Sequence, residues 1–482
     1  MFVQALLVPL SKQAVAILRL HPVTGDARYV FPFSRCKRAS RISAILAFIA
    51  TAVLGQASTP PPAPTFFGGV DAGRFWVGGQ ANIIFQAHGK FRSDYEGPNS
   101  LHAQSEHALS RLFTLYTTYR LTKTSEILVD VESAGGKGIS DALGVAGFTN
   151  LDVVRNPDLG STPYLARVQF HAVVPLGSES ESTVRNPLSG FTTLPARRLE
   201  VRIGKLSTVD SFDVNAVGSD SHLQFLNWTT DNNGAYDYAA DTRGYTIGGV
   251  AEYHVPLWTL RAGLMLMPTV ANGIKLDYDV RHARGENVEL ELRPQGINGR
   301  ATVVRALLFR NLARMGSYRD AVAVRQAATP DIAASRRRAR TKYGVGLNAE
   351  QELTSRLRAF ARLGWNDGRN ESFAYTEVDR TVEAGFDLQP TKARPRDKIG
   401  VALVMNRISA PHRGYLAAGG LGFLLGDGAL RYSPERMIEA YYTMDLGRGV
   451  YASLDFQDIH NPGYNHDRGP VMVSAARLHV DF

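Results

Sequence analysis

Apolar and polar residues alternate at a period of two through most of this chain, over stretches far longer than a soluble strand needs. In VYASLDFQ (450–457), Val450, Ala452, Leu454 and Phe456 oppose Tyr451, Ser453, Asp455 and Gln457. RRLEVRIG (197–204) sets Leu199, Val201 and Ile203 against Arg198, Glu200 and Arg202. RLRAFARLGW (356–365) sets Leu357, Ala359, Ala361, Leu363 and Trp365 against Arg356, Arg358 and Arg362. Successive side chains of a strand point to opposite faces, so each segment offers one face to an apolar medium and one to water. Soluble strands average about five or six residues, whereas these patterns run ten to fourteen. Crossing a bilayer as a tilted strand takes about 9–11.

Sixteen such segments are read: 73–88, 107–121, 123–134, 162–175, 196–206, 241–255, 257–268, 286–293, 299–310, 340–353, 355–366, 375–389, 397–409, 434–446, 449–459 and 470–482. Even-to-odd connections are mostly tight (LTK, VPLW, LTSR, LGRG), while odd-to-even ones are long, including 135–161, 207–240, 311–339 and 410–433. The connection at 176–195 is long where a short one is expected. Short periplasmic turns and long extracellular loops are the build of an outer-membrane barrel. The expected fold is therefore all-β, a transmembrane antiparallel β-barrel of about 16 strands over 73–482. A sheet in lipid cannot leave an edge open, so the last strand, with Leu478, Val480 and Phe482 on one face, is expected to close on the first.

The start of the chain has a separate meaning. KRASRISAILAFIATAVLGQAS (37–58) joins a basic cluster, Lys37, Arg38 and Arg41, to a fourteen-residue apolar run at 42–55 and small residues through Ala57. That is the grammar of a secretory signal peptide, too short to span as a helix. Residues 37–57 are expected to direct export. Residues 1–36 are expected to be an upstream extension from a start codon assigned too early, and 58–72 a Pro-rich periplasmic segment. The first 57 residues hold seven Lys/Arg and one acid, so the remainder carries 47 bases against 44 acids, a net charge of +3. A nucleic-acid partner loses its electrostatic support. The sole cysteine, Cys36, lies in the same discarded part, which excludes a disulfide framework and cysteine-held metals.

No hydrolase elbow, zinc-protease helix, phosphate loop or dinucleotide fingerprint occurs, so no catalytic residue, cofactor or metal is expected. GGLGFLLGDG (419–428) reads as a packed loop, and SRRRAR (335–340) as a solvated basic run in a long loop, within reach of anionic lipid headgroups. The informative feature is a polar face of mixed sign: Asp130, Glu132, Arg167, Glu200, Arg202, Arg358, Arg362, Glu439 and Asp455. A sixteen-strand barrel encloses an aqueous lumen, which these residues would line. An anion or cation pore biases its lining to one sign. Interleaved signs with Tyr and Gln suit neutral polyols, whose hydroxyls bond carboxylates and guanidinium groups while aromatic faces cover the C–H surface. The competing role is a set of ion-pair ladders that stiffen the wall.

Several blocks resemble the carbohydrate-selective porin family of OprB type: EGPNSL (96–101), GVAGFTN (144–150), GKLSTVDSFDVN (204–215), QFLNWTTDNNGAYDYAADTRGYTIG (224–248), HRGYLAAGGLGFLLGDGAL (412–430), PERMIEAYY (434–442) and NPGYNHDRGP (461–470). No such block is recognised between about 270 and 400. The resemblance implies an outer-membrane porin, often a trimer, that passes sugars down their gradient. It also implies a long third loop folded inward to narrow the pore. Here that loop would be 207–240, with Asp210, Asp213, Asn215, Trp228, Asp231 and Tyr236, closing at Asp241 and Arg243. Phe482 resembles the terminal aromatic read by outer-membrane assembly machinery. Two alternatives stand beside the sugar porin: a general non-selective porin, and a barrel enzyme acting on lipid or glycan, for which Glu439 and Asp455 on adjacent strands are the pair to test.

Overall fold

In the computed structural model, residues 65–66, 70–153, 159–294, 296, 299–325 and 328–482 are described. The export segment 37–57, the extension 1–36 and most of 58–72 lie outside them. Sixteen long strands form the wall. The first eight are β1 (Phe75–His88), β2 (Glu106–Arg120), β3 (Ser125–Gly136), β4 (Tyr164–Pro175), β5 (Arg198–Leu206), β6 (Thr246–Val255), β7 (Trp258–Leu266) and β8 (Arg284–Leu292). The second eight are β9 (Thr302–Met315), β10 (Arg337–Glu352), β11 (Leu357–Asn366), β12 (Arg380–Leu388), β13 (Lys398–Arg407), β14 (Glu435–Gly447), β15 (Val450–His460) and β16 (Val471–Asp481). Each pairs antiparallel with its neighbours in sequence, and β16 returns to β1, with Ala475 opposite Gln86 and Asp481 opposite Gln80. The seam is fastened at its end, where the backbones of Gly79 and Phe482 exchange hydrogen bonds of 2.5 and 2.8 Å.

The alternation read from the sequence sorts the two faces. Ile203, Leu363, Leu403, Leu454 and Phe456 point outward and are exposed, while Asp130, Glu200, Arg362, Glu439 and Gln457 point inward and are buried. Apolar exposure repeated around a whole barrel is a surface for lipid. Outward aromatics bracket it, with Phe75, Tyr119 and Tyr253 toward the turn end, and Phe85 and Tyr343 toward the loop end. Among the described residues no helix is long and apolar enough to cross a membrane; the strands cross it. Leu454, 53% exposed near the middle of β15, tests this directly. Leu454→Arg is expected to destabilise the barrel in vesicles by about 2–4 kcal/mol, read from urea unfolding. The same change at inward Ser453 is expected to leave the lipid contact unaltered.

Three local features depart from the sequence reading. Arg337–Arg340 of the basic run begin β10 rather than sitting in a loop, because ladder pairing reaches Met315 opposite Arg337. Val70–Ala72, expected in the Pro-rich segment, forms a short strand that folds back on β1. The long turn-end connection folds into its own hairpin, Ser180–Ser182 against Thr193–Pro195. From it Gly190 N and Ser189 Oγ donate to Glu126 at 3.0 and 3.1 Å.

Candidate constriction site

The third long loop, residues 207–245, folds inward rather than out. Its polar backbone would be orphaned in a lumen without partners, and inward-facing wall residues supply them. Glu439 accepts from Leu226 N (2.6 Å) and Asn227 N (3.0 Å), and Asn227 Nδ2 donates to Gln457 (3.0 Å). Arg362 donates to Thr230 O (2.8 Å), Asp231 O (3.0 Å) and Ser219 Oγ (2.6 Å). Arg477 donates to Ser221 O (2.8 Å) and Gln224 O (2.9 Å). Asn348 and Glu289 hold the backbone around Asp213, and Asn366 holds Ala235 O at 3.0 Å. The loop also lies flat on the wall. A Cβ on Gly364 would sit 2.0 Å from Asn233 Oδ1 and 2.9 Å from Ala235 Cβ, so a larger residue there would push the loop off the wall.

Docked against β8–β16, the loop leaves the pore on the opposite side, beside β1–β4. The resulting cavity, ≈ 320 Å³, is lined by Gln80, Tyr116 and Glu132 of the wall, Tyr164 and Arg167 of β4, and Asp210, Asp220, His222, Trp228, Asp231, Arg243 and Tyr245 of the inward loop. Asp152 enters from the β3–β4 loop and Tyr375 from the β11–β12 loop. Trp228 and Tyr375 stack with ring centres 4.3 Å apart and planes 12° apart. The Arg243 guanidinium lies 3.9 Å over the Tyr164 ring. Arg167 grips Asp210 through two bonds of 2.7 Å and donates to Asp130 at 2.9 Å. Glu132 accepts from Tyr245 OH at 2.9 Å and from Tyr164 OH.

His222 Nε2 and Asp152 Oδ1 lie 3.5 Å apart across the cavity. Burial opposes charge on both, but their mutual attraction, helped by Asn82 on the carboxylate, prevails. The Asp152 carboxyl is held below its usual range and the His222 imidazole above its own. The site thus presents carboxylates, guanidinium groups, an imidazole and aromatic faces within one narrow passage.

Of the residues read from the sequence, Glu132, Arg167, Asp210, Trp228, Asp231 and Arg243 line this cavity. Asp130 stands behind it, tied to Arg167. Arg362 and Glu439 lie buried under the inward loop and hold it, Asp213 is buried within that loop against Arg362, and Asp455 is buried beside Gln457. The pair Glu439 and Asp455 is sealed from solutes, so it offers no catalytic centre. Glu200 and Arg202 belong to a buried network with His171, Arg198 and His254, and Arg358 is forked onto Asp387. Below the loop the ladder continues, with Arg261 bonding Glu252, Glu289 and Glu291 and Arg305 bonding Glu291 and Glu350. Glu200, Glu252 and His254 come within metal-ligand reach of one another. Arg198 already lies 2.5 Å from Glu200 and Arg261 2.7 Å from Glu252, however, so a cation would have to displace guanidinium groups.

Asp152, Asp220, His222, Tyr164, Tyr245 and Tyr375 escape the sequence reading. Tyr164 and Tyr116 carry a signal, since both fall on inward positions of their strands. Asp152 comes from a loop without period, and Tyr375, read as the first residue of the alternating segment 375–389, lies in the loop before β12, which starts only at Arg380. Tyr375 depends on a clasp at the loop end. Buried His412 lies 3.2 Å from Asp379 and 3.6 Å from Glu377, while Glu377 accepts from Leu424 N and Leu425 N at 3.0 and 2.8 Å. Tyr318 stacks on the imidazole at 4.1 Å. Burial opposes the imidazolium, but the two carboxylates raise His412 to about 9. Its contribution is present in full below the free imidazole value near 6.5 and is lost as pH rises through about 9. Hydrogen exchange in 367–379 and 408–434, corrected for intrinsic rate, is expected to speed up between pH 7 and 10. His412→Gln should abolish that step; a step of equal size in the variant would refute the clasp.

The family described as carbohydrate-selective porin, OprB family, matches residues 104–482. OprB of Pseudomonas putida, solved at high pH, superposes with a TM-score of 0.64 at 15% identity, over 85% of this chain and 94% of that one. The outer membrane channel DcaP of Acinetobacter baumannii aligns with a TM-score of 0.48 at 9% identity, over 86% of this chain and 99% of that one. No curated protein sequence matches this chain.

Proposed function

The chain belongs to the carbohydrate-selective porin family, OprB type, and on that premise we propose that its selectivity for sugars resides in the passage between the inward loop 207–245 and β1–β4. It is an outer-membrane channel and not an enzyme, and sugars are its solutes. One observation carries the finer reading: the stacked aromatic surface of Trp228 and Tyr375 opens on the same cavity as Asp152, Asp210, Asp220, Glu132 and Arg243. A sugar ring needs both, an aromatic face for its C–H surface and paired polar groups for adjacent hydroxyls. These contacts exchange for water bonds as the solute enters, so binding is weak enough to release it. No cofactor enters this reading.

Passage is driven by the gradient alone. The arginine–carboxylate ladder below the loop suits a wall role, keeping the lumen open and rigid beneath the constriction. Further proposals attach to the same reading: export by residues 37–57, assembly through recognition of Phe482, contact with outer-membrane lipid along the apolar wall, and a homotrimer as the working form.

The test is single-channel current in a planar bilayer during titration with mono- and disaccharides. Saturable block is expected. Steady conductance at every sugar concentration would instead establish a non-selective porin and remove the binding role of the aromatic pair.

A further inference from the structure

Beside the pore machinery the barrel carries a second cavity, of ≈ 680 Å³, on its loop end between β9 and β13. Its lining includes Arg319, Arg340, Arg369 and Arg380 against only Asp320 and Asp367. Asp320 is already taken, 2.5 Å from Arg340. Arg319, Arg369 and Arg380 are exposed, and among the described residues their guanidinium groups make no hydrogen bond or ion pair. Arg380 stands directly across the ladder from Arg407, also exposed. Two like charges in that position destabilise a strand pair unless a counter-charge sits between them.

Their height on the wall says what that counter-charge is. Arg380 pairs in register with Trp365, whose ring lies 5.8 Å from that of Tyr343, and Tyr343 itself lines the cavity. Outward aromatics mark the headgroup level of a membrane barrel. The apolar band lies on one side of this belt, Arg380 stands at its level, and Arg319, Arg340 and Arg369 lie on its loop side. Guanidinium forks match the oxygens of a phosphate, and several around one cavity select a doubly charged anion over a carboxylate. A second copy of this chain would bring the same surplus of positive charge to the contact.

We propose that this cavity receives a phosphate group of the outer-leaflet glycolipid, the headgroup of lipid A. Arg319 and Arg380 supply the free forks, and Arg340 is held beside them by Asp320. The glycolipid would thereby neutralise the Arg380–Arg407 juxtaposition and seal the loop end against its leaflet. The inference rests on the loop end facing outward and is independent of what the pore passes.

The experiment is lipid retention by the purified full chain in detergent, measured by native mass spectrometry. The probes are bisphosphorylated lipid A, its dephosphorylated form and inorganic phosphate. The wild-type barrel is expected to retain the phosphorylated lipid at least about tenfold better than the dephosphorylated one, and Arg319→Gln/Arg380→Gln to lose that preference. Lys123→Gln/Arg197→Gln, the same charge change among exposed turn-end residues, should keep it. Heat-modifiable migration confirms that each variant is folded. Equal retention of lipid A by wild type and the Arg319/Arg380 variant would overturn the proposal. So would equal retention of the two lipid forms. Displacement of lipid A by millimolar inorganic phosphate would overturn the lipid assignment in favour of a small-anion site, and a change of oligomer mass without a change of lipid would assign the surface to a contact between copies.

Discussion

Arg362→Ala is expected to free the inward loop and to lower the stability of the barrel by about 3–5 kcal/mol. The guanidinium is fully buried, with Nε 3.3 Å from Asp213 and Nη1 3.4 Å from Glu383. Alanine leaves both carboxylates inside the lumen without a counter-charge, and it removes the donors that hold Thr230 O, Asp231 O and Ser219 Oγ. Deleting one partner of a buried ion pair strands the other, which costs more than the pair itself contributes. Single-channel conductance should rise, because the segment carrying Trp228 is no longer held to the far wall, and sugar block should weaken with it. Arg358→Gln is the matched control. Arg358 is half-exposed and forked onto Asp387, away from the loop, so conductance there should stay at the wild-type level. A folded Arg362→Ala barrel with unchanged conductance and block would show that Glu439, Arg477 and Asn348 hold the loop without it.

Trp228→Ala is expected to raise the sugar concentration for half-block of the current about tenfold. An aromatic face contributes roughly 0.5–1.5 kcal/mol beyond the area it buries, and 1.4 kcal/mol is a factor of ten. The substitution also takes from Tyr375 its stacking partner at 4.3 Å. Conductance should change little, since Trp228 narrows the passage from one side only. Trp228→Phe should recover much of the affinity by restoring a ring. Identical half-block concentrations in wild type and Trp228→Ala would move sugar recognition away from this surface, toward the carboxylates at Asp152 and Asp220.

These two residues also show how far a linear reading reaches. Arg362 is legible as an inward residue because it alternates with Ala361 and Leu363, and the parity of β11 is a local property. Its function as the anchor of a loop more than a hundred positions away is not legible there. The same holds for Glu439, which parity places in the lumen but which the inward loop covers. Arg202 and Arg358 were readable as either solute contacts or wall ladders, and their ion-pair geometry places them in the ladder. Trp228 was reached through a block of sequence that resembles a family, and its partner Tyr375 was not reached as a site residue.

Sequence alone determined the material of this protein: sixteen alternating strands, their order, the faces turned to lipid and water, and a last strand able to close on the first. Each follows from a period of two, which any eight residues display without knowledge of the rest. The tertiary structure decided the passage. Asp152, His222, Trp228, Arg243 and Tyr375 meet because the inward loop docks on wall residues far along the chain, through hydrogen bonds to backbone that carry no periodic mark. A barrel wall is specified by neighbours in sequence, whereas its constriction is specified by which buried polar groups find partners across the lumen.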